Sequence, residues 1–356
     1  MASVATAWWT TPKALVAAAT AGVVIAATAA PGVAMAQDAG GEGDTAFVLG
    51  GARGPGIPWL DYTNRAGRGY YPNADRVIVD YPAGMIYGRL PAQLSRGSDL
   101  ATASVGESVA VGADNLDAAI RAGNGRAVAI GLSEGTLVLD AEQARLASDP
   151  TAPPPDQLSF TVFSDPSRSF LKLFPEGTYL PVLDYTVRRP VESQYHTNVV
   201  VAEYDFIADF PDRPENLISL ANAIIGGVTV HTPVAFSSPD DVPAANITTT
   251  SNSRGGTTTT YLVPTHQLPL TQPLRDAGVS AELTDQIDKT LRPNVDAGYA
   301  RNDGRAAPTP APPPAVPVDL DGIVHPTNPV NINGVLDPTS QANLDGFLKQ
   351  ARDMFP

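Results

Sequence analysis

Ser133 lies in Gly131-Leu132-Ser133-Glu134-Gly135, a G-x-S-x-G pattern. The apolar run before it, Ala127 to Ile130, reads as a buried strand of a parallel sheet. Thr136 to Leu146 after it holds neither Pro nor Gly and reads as a helix. Strand, sharp turn and helix are the setting of a nucleophile elbow, in which a strained serine stands clear of the sheet at the positive end of a helix dipole. Glycine two positions to either side removes side chains that would strike the neighbouring strand and helix. A serine nucleophile needs a base to take its proton, and the base needs a carboxylate to hold its tautomer. The chain has four histidines, so the base can be enumerated. His325 lies beyond a Pro/Ala stretch, and His196 precedes a strand at the far edge of the sheet. His231 and His266 both fit the order Ser, Asp, His that this type of elbow uses. Three carboxylates are candidates for the acid: Asp205 directly after an apolar strand, Asp209 four residues on, and Asp165 after the preceding strand. The C-terminal edge of an open α/β sheet, where these residues fall, is where such sheets bind ligands.

The elements that must position these groups follow in order. Thr45 to Leu49 reads as the first strand, running into Gly50-Gly51-Ala52-Arg53-Gly54-Pro55-Gly56. No G-K-[ST] follows, so a phosphate cradle is disfavoured, and the loop suits one wall of an oxyanion hole. Its donors would be the N–H of Glu134 and an N–H from the loop, at Gly51 or Ala52. A second strand is expected over Arg76 to Tyr81 and a helix over Ser104 to Ala122, with apolar spacing at Val105, Val109, Leu116 and Ile120. Leu158 to Phe163 and Asn198 to Tyr204 read as further strands. Between them, residues 167–197 are rich in aromatics and Pro and read as a hairpin or lid-like insertion. Leu217 to Ile225 reads as a short helix capped by Gly226-Gly227. Thr248 to Thr260 reads as a hairpin around Arg254-Gly255-Gly256, Tyr261 to Pro264 as a late strand, and Ala281 to Leu291 as a helix ending at Pro293. The fold class is α/β: a mostly parallel sheet with helices on both faces.

The 356-residue chain carries a net charge of -14, which argues against nucleic acid as a partner. It has no Cys, so neither a thiol nucleophile nor a cysteine metal site is available. No H-E-x-x-H pattern occurs, and neither a metal nor a cofactor is expected. Residues 1–36 read as a secretory signal: Lys13, the apolar stretch Ala14 to Ala30, and the small-x-small site Ala34-Met35-Ala36. No later stretch is long and apolar enough to span a membrane. The expected organisation is signal peptide (1–36), hydrolase domain (37–304), then a Pro/Ala-rich linker and polar tail (305–356). Such a chain would be secreted or associated with the cell envelope.

The stretches G-L-S-E-G, E-Y-D-F-I-A-D-F-P-D-R-P-E-N-L, V-T-V-H and Y-L-V-P-T-H-Q-L-P-L-T-Q-P-L-R together resemble the PE-PPE domain of mycobacteria and relatives. That family consists of serine hydrolases with an α/β-hydrolase, cutinase-like fold. The resemblance covers roughly residues 45–300 and lacks the name-giving N-terminal segments. It implies Ser133 as nucleophile, Asp205 as acid and His231 as base. It also implies an esterase or acyltransferase acting on acyl esters or glycolipids of the envelope, such as acylated trehalose. Ser164-Asp165-Pro166 stands where the family has Asn-Pro, which keeps Asp165 a rival acid, and Arg53 is an insertion in the first glycine loop. The contrasting reading is a non-catalytic lipid-binding or scaffold module of the envelope.

Overall fold

The computed structural model describes residues 44–53, 58–85 and 103–304. The expected signal peptide, the far end of the glycine loop and the linker and tail lie outside the described residues. Seven strands form one sheet in the order β2-β1-β3-β4-β7-β9-β8. The strands are β1 (Thr45–Leu49), β2 (Asp75–Ile78), β3 (Ala127–Leu132), β4 (Leu158–Phe163), β7 (His196–Ala202), β8 (Ile247–Ser251) and β9 (Thr257–Val263). All neighbouring pairs are parallel except β8 with β9, which closes one edge as an antiparallel hairpin. The fold is α/β and mostly parallel. The strands buried on both faces are correspondingly almost wholly apolar, as in Ala46, Phe47, Val48 and Leu49 of β1.

Helices α1 (Trp59–Arg65), α2 (Val105–Ala122), α3 (Glu134–Leu146), α4 (Ser167–Leu173), α5 (Leu217–Thr229), α6 (Gln272–Asp276) and α7 (Ala281–Asp296) accompany the sheet. Successive residues of a strand look to opposite faces. On β7, Asn198 donates to the Tyr71 hydroxyl (3.1 Å), whereas Thr197 donates to Gln143 of α3 (3.1 Å). The segment after α1 and helix α3 therefore cover opposite faces. Helix α2 starts at a reciprocal capping box between Ser104 and Glu107 and buries Val105, Val109, Leu116 and Ile120, the stripe expected from its spacing. Gly112 lets it approach α3, since a Cβ there would lie 2.7 Å from Val138.

Several boundaries differ from the sequence reading. Strand β2 ends at Ile78, not Tyr81, and the chain then leaves the edge so that the Tyr81 hydroxyl reaches inward to the Gly50 carbonyl. β7 ends at Ala202, before the positive φ of 67° at Tyr204. Gly226 and Gly227 do not cap α5, which runs through them to Thr229. They are there for close approach: a Cβ on Gly226 would lie 2.0 Å from the Tyr204 carbonyl oxygen. Tyr261–Val263 is not a separate strand but the end of β9. Pro293 lies inside α7, whose last turn continues to Asp296; Lys289, four residues back, is exposed, so water can serve the carbonyl that proline leaves without a donor. The segment 167–197 contains α4 and a small antiparallel hairpin of β5 (Tyr179–Leu180) and β6 (Tyr185–Thr186). The hairpin is docked on the start of α2 through Gly106 N–H to Leu183 O and Ser104 Oγ to Asp184.

Glu142 of α3 is fully buried, 3.5 Å from the Arg145 guanidinium. Burial, then the nearby Asp117 carboxylate, pushes its pKa up to about 8 from 4.5. The folded chain thus retains a proton that the unfolded chain releases, and this group makes stability fall as pH climbs from about 4.5 to about 8. Glu142→Gln, neutral at every pH, is expected to raise the melting temperature at pH 8–9 and to change it little at pH 4–5. Thermal melts of the two proteins across that range check this.

Candidate active site

Ser133 is the residue between β3 and α3, with φ 53° and ψ -119°, a conformation that costs a non-glycine residue about 1–3 kcal/mol. The two glycines of the pattern explain how it is held. A Cβ on Gly131 would lie 2.6 Å from the Gly135 carbonyl oxygen, and one on Gly135 would lie 2.7 Å from the Leu49 oxygen and 2.8 Å from the Gly50 oxygen. The first turn of α3 is pressed against β3 and the end of β1, and only glycine fits at either contact. The Ser133 N–H donates to Phe163 O (2.9 Å), the last carbonyl of β4, and its own carbonyl accepts from the Thr136 N–H (2.9 Å) and hydroxyl (2.7 Å). The side chain is half-buried at the C-terminal edge of the sheet.

Asp205 is fully buried beyond the end of β7. Its Oδ1 accepts from the Ile207 N–H (3.0 Å), and its Oδ2 lies 2.8 Å from His231 Nδ1. A carboxylate only accepts, so Nδ1 carries the proton and Nε2 presents its lone pair. Nε2 is buried and has no hydrogen-bond partner among the described residues. His231 follows α5 directly, and its carbonyl accepts from the Ser164 hydroxyl (3.0 Å). Phe163 therefore holds Ser133 while its neighbour Ser164 holds His231, so one dipeptide at the end of β4 ties the two residues to the same edge.

The rival acids have other work. Asp209 accepts the Tyr204 N–H (2.8 Å) and forms a two-pronged ion pair with Arg301 (2.8 and 2.9 Å). It thereby fixes the positive-φ residue that precedes Asp205. Burial opposes the Arg301 charge, but Asp209, with Glu203 and Tyr299, offsets this and leaves its pKa raised. Asp165 accepts from the Ser167 N–H (2.9 Å) and hydroxyl (2.5 Å) at the start of α4 and shares the Thr136 hydroxyl proton (3.1 Å) with the Ser133 carbonyl, which ties α4 to α3. Of the other histidines, His266 is exposed and offers its carbonyl to Arg292 (2.6 Å). His196 starts β7 at the opposite rim, between Thr257 (2.6 Å) and Asn198 (3.0 Å). His325 lies outside the described residues.

Gly51 faces the serine closely: a Cβ there would lie 3.0 Å from Ser133 Cβ and 3.6 Å from its Oγ. In the same loop the Arg53 N–H is spent on Ala83 O (2.8 Å), which leaves the N–H groups of Gly51 and Ala52 as candidates among the described residues of the loop. Glu134 opens α3, where a backbone N–H has no partner within the helix. Its side chain is buried, and burial holds its pKa well above the usual carboxylate range. Burial thus disfavours a negative charge beside Ser133. Ser164 and Arg301, both important to the geometry, had no signal in the sequence, because neither stands in a motif with its partner.

Residues 72–300 match the PE-PPE domain. The chain belongs to the PE-PPE domain family. Among its relatives in Mycobacterium tuberculosis, "Diacyltrehalose acyltransferase Chp2" is 52% identical over 287 residues, 77% of this chain and 80% of that protein. "SL1278 acyltransferase Chp1" is 46% identical over 258 residues, 71% and 59% of the two chains. "Esterase PE16" is 35% identical over 311 residues, 84% and 56% of the two. No solved structure matches this chain.

Asp209 and Arg301 are each other's main charge partner, with side chains 6% and 26% exposed. Removing one member of such a pair costs on the order of 3 kcal/mol. Asp209→Asn is thus expected to lower the melting temperature by about 6–12 °C. Calorimetry of the purified variant measures the loss.

Proposed function

We propose that the chain is an exported serine acyltransferase or esterase in which Ser133 is the nucleophile, His231 the base and Asp205 the group that orients it. The observation that supports this most directly is the buried His231, with Nδ1 on Asp205 and Nε2 unengaged. Ser133 Oγ attacks an acyl carbonyl carbon as its proton passes to Nε2. The carbonyl oxygen becomes an oxyanion held by the N–H of Glu134 and that of Gly51 or Ala52. The adduct collapses to the acyl-enzyme, and the departing alkoxide takes the proton from Nε2. An incoming hydroxyl then gives its proton to Nε2 and attacks the acyl carbon, and Nε2 passes that proton to Ser133 Oγ as its bond to the acyl carbon breaks and the product leaves. The bond between Ser133 and Nε2 is not formed here, and in unliganded sites such bonds tighten with substrate.

The incoming hydroxyl decides the reaction: water gives a free fatty acid, a sugar hydroxyl a new ester. Identity of 52% and 46% to two named acyltransferases, against 35% to a named esterase, favours transfer between acylated sugars of the trehalose type. Hydrolysis is the second reading. Export rests on the signal-like residues 1–36. Among the described residues, no helix is long and apolar enough to cross a membrane.

Ser133→Ala is expected to lower kcat on p-nitrophenyl butyrate by about 10³-fold or more, and Asp205→Asn by a comparable order. Variants that turn over at the wild-type rate would refute the assignment. With diacyltrehalose as substrate, chromatography of the products is expected to show acyl groups moved to a second sugar in excess of free fatty acid. Free acid alone would establish the esterase.

A further inference from the structure

The loop that faces Ser133 begins with two glycines, which bring no side chains to hold it in place. What holds it comes from elsewhere. The Tyr81 hydroxyl, beyond β2, donates to the Gly50 carbonyl (2.6 Å). From α1, Trp59 Nε1 donates to the Gly51 carbonyl (2.7 Å), and the Tyr62 hydroxyl donates to the same oxygen (3.1 Å). All three side chains are buried, and the Trp59 and Tyr81 rings meet edge to face, 6.2 Å between centroids. The loop is pressed onto α1, since a Cβ on Gly50 would lie 2.2 Å from Thr63 Oγ1 and 2.9 Å from the Trp59 ring. The Arg53 guanidinium lies 4.0 Å over Trp59 and pairs with Asp80, and the Arg53 N–H is bound to Ala83.

A trans peptide is planar, with its C=O and N–H pointing in opposite directions. The Gly50 carbonyl shares its plane with the Gly51 N–H, and the Gly51 carbonyl shares its plane with the Ala52 N–H. We propose that Trp59, Tyr62 and Tyr81 are positioning residues of the acyl-transfer site: by drawing both carbonyls into the core, they turn the Gly51 and Ala52 N–H groups outward, on the side where Gly51 abuts Ser133. The inference rests on the reading of Ser133 as nucleophile. It adds that the oxyanion donors are aimed before substrate arrives, which is where such donors have their electrostatic advantage. Two donors on one oxygen also resist rotation of the Gly51–Ala52 plane better than one would. Burial raises the pKa of both phenols well above the ordinary range, so they remain donors while the histidine acts as base.

Tyr81→Phe removes the single donor to Gly50 and keeps the ring; Tyr62→Phe removes one of the two on Gly51. Removing an oxyanion donor outright costs about 10²–10³-fold in kcat, and a donor that remains but is less well aimed costs less. On p-nitrophenyl butyrate, Tyr81→Phe is expected to lower kcat about 10–100-fold with KM within about 3-fold, and Tyr62→Phe to lower it less. Inhibition by an alkylboronic acid, whose adduct with serine mimics the tetrahedral anion, should weaken in step with kcat, with melting temperatures close to wild type. Wild-type kcat in both variants, or a loss that tracks the melting temperature and leaves boronate inhibition intact, would overturn the proposal. If Tyr81→Phe does not fold, Tyr62→Phe alone decides by the same readouts. Ser133→Ala is measured alongside. If it is inactive while both Phe variants behave as wild type, only the positioning role fails; if it is fully active, the nucleophile itself was misassigned.

Discussion

The arrangement around Ser133 depends on how closely the first turn of α3 approaches β3 and the end of β1. A Cβ at 131 would lie 2.6 Å from the Gly135 oxygen and one at 135 would lie 2.7 Å from the Leu49 oxygen, so both positions leave room for glycine alone. That approach forces Ser133 into its positive-φ conformation and brings the glycine loop after β1 against its side chain. With larger residues at either position the helix would stand off. The serine would then lose its strain together with its closeness to the loop, so packing and chemistry rest on the same contact.

Three consecutive strands in the sheet end in a residue of positive φ: Ser133 after β3, Ser164 after β4 and Tyr204 after β7. Each sharp turn is held by a different device. Glycine clearances serve the first, the Ser164 hydroxyl on the His231 carbonyl serves the second, and the Asp209–Arg301 pair serves the third. Strain of this kind persists only where the surroundings over-determine it, and it gathers at functional sites. The same closeness recurs at Gly226, where α5 passes the Tyr204 carbonyl on its way to His231. Asp205 and His231 thus reach each other because a glycine, placed mid-helix at some cost in propensity, lets the helix that leads to one lie on the turn that carries the other.

Buried polar groups around the site divide by partner. Asp205 and Asp209 stand four residues apart in the same motif, yet one meets a histidine and the other an arginine and a backbone N–H. Glu134 is buried, and that burial disfavours its charge. Similar carboxyl groups acquire different roles from depth and neighbours, not from residue type.

The sequence by itself determined the local features: the strand-elbow-helix unit at Ser133, the amphipathic stripe of α2, the hairpin at Gly255 and the α/β class. These follow from backbone sterics and hydrophobic period, which act within a few residues. The family pattern also pointed to Asp205 and His231. Only the tertiary structure decided that Asp209 and Asp165 are spent on other partners, that Gly226 serves close packing instead of ending a helix, and that Trp59, Tyr62 and Tyr81 converge on one loop. The reason is that a buried polar group chooses its partner by strand order and depth, and those bring together residues 31 or 92 positions apart, as in Tyr81 with Gly50 and Arg301 with Asp209. No period or spacing in the chain records such a meeting.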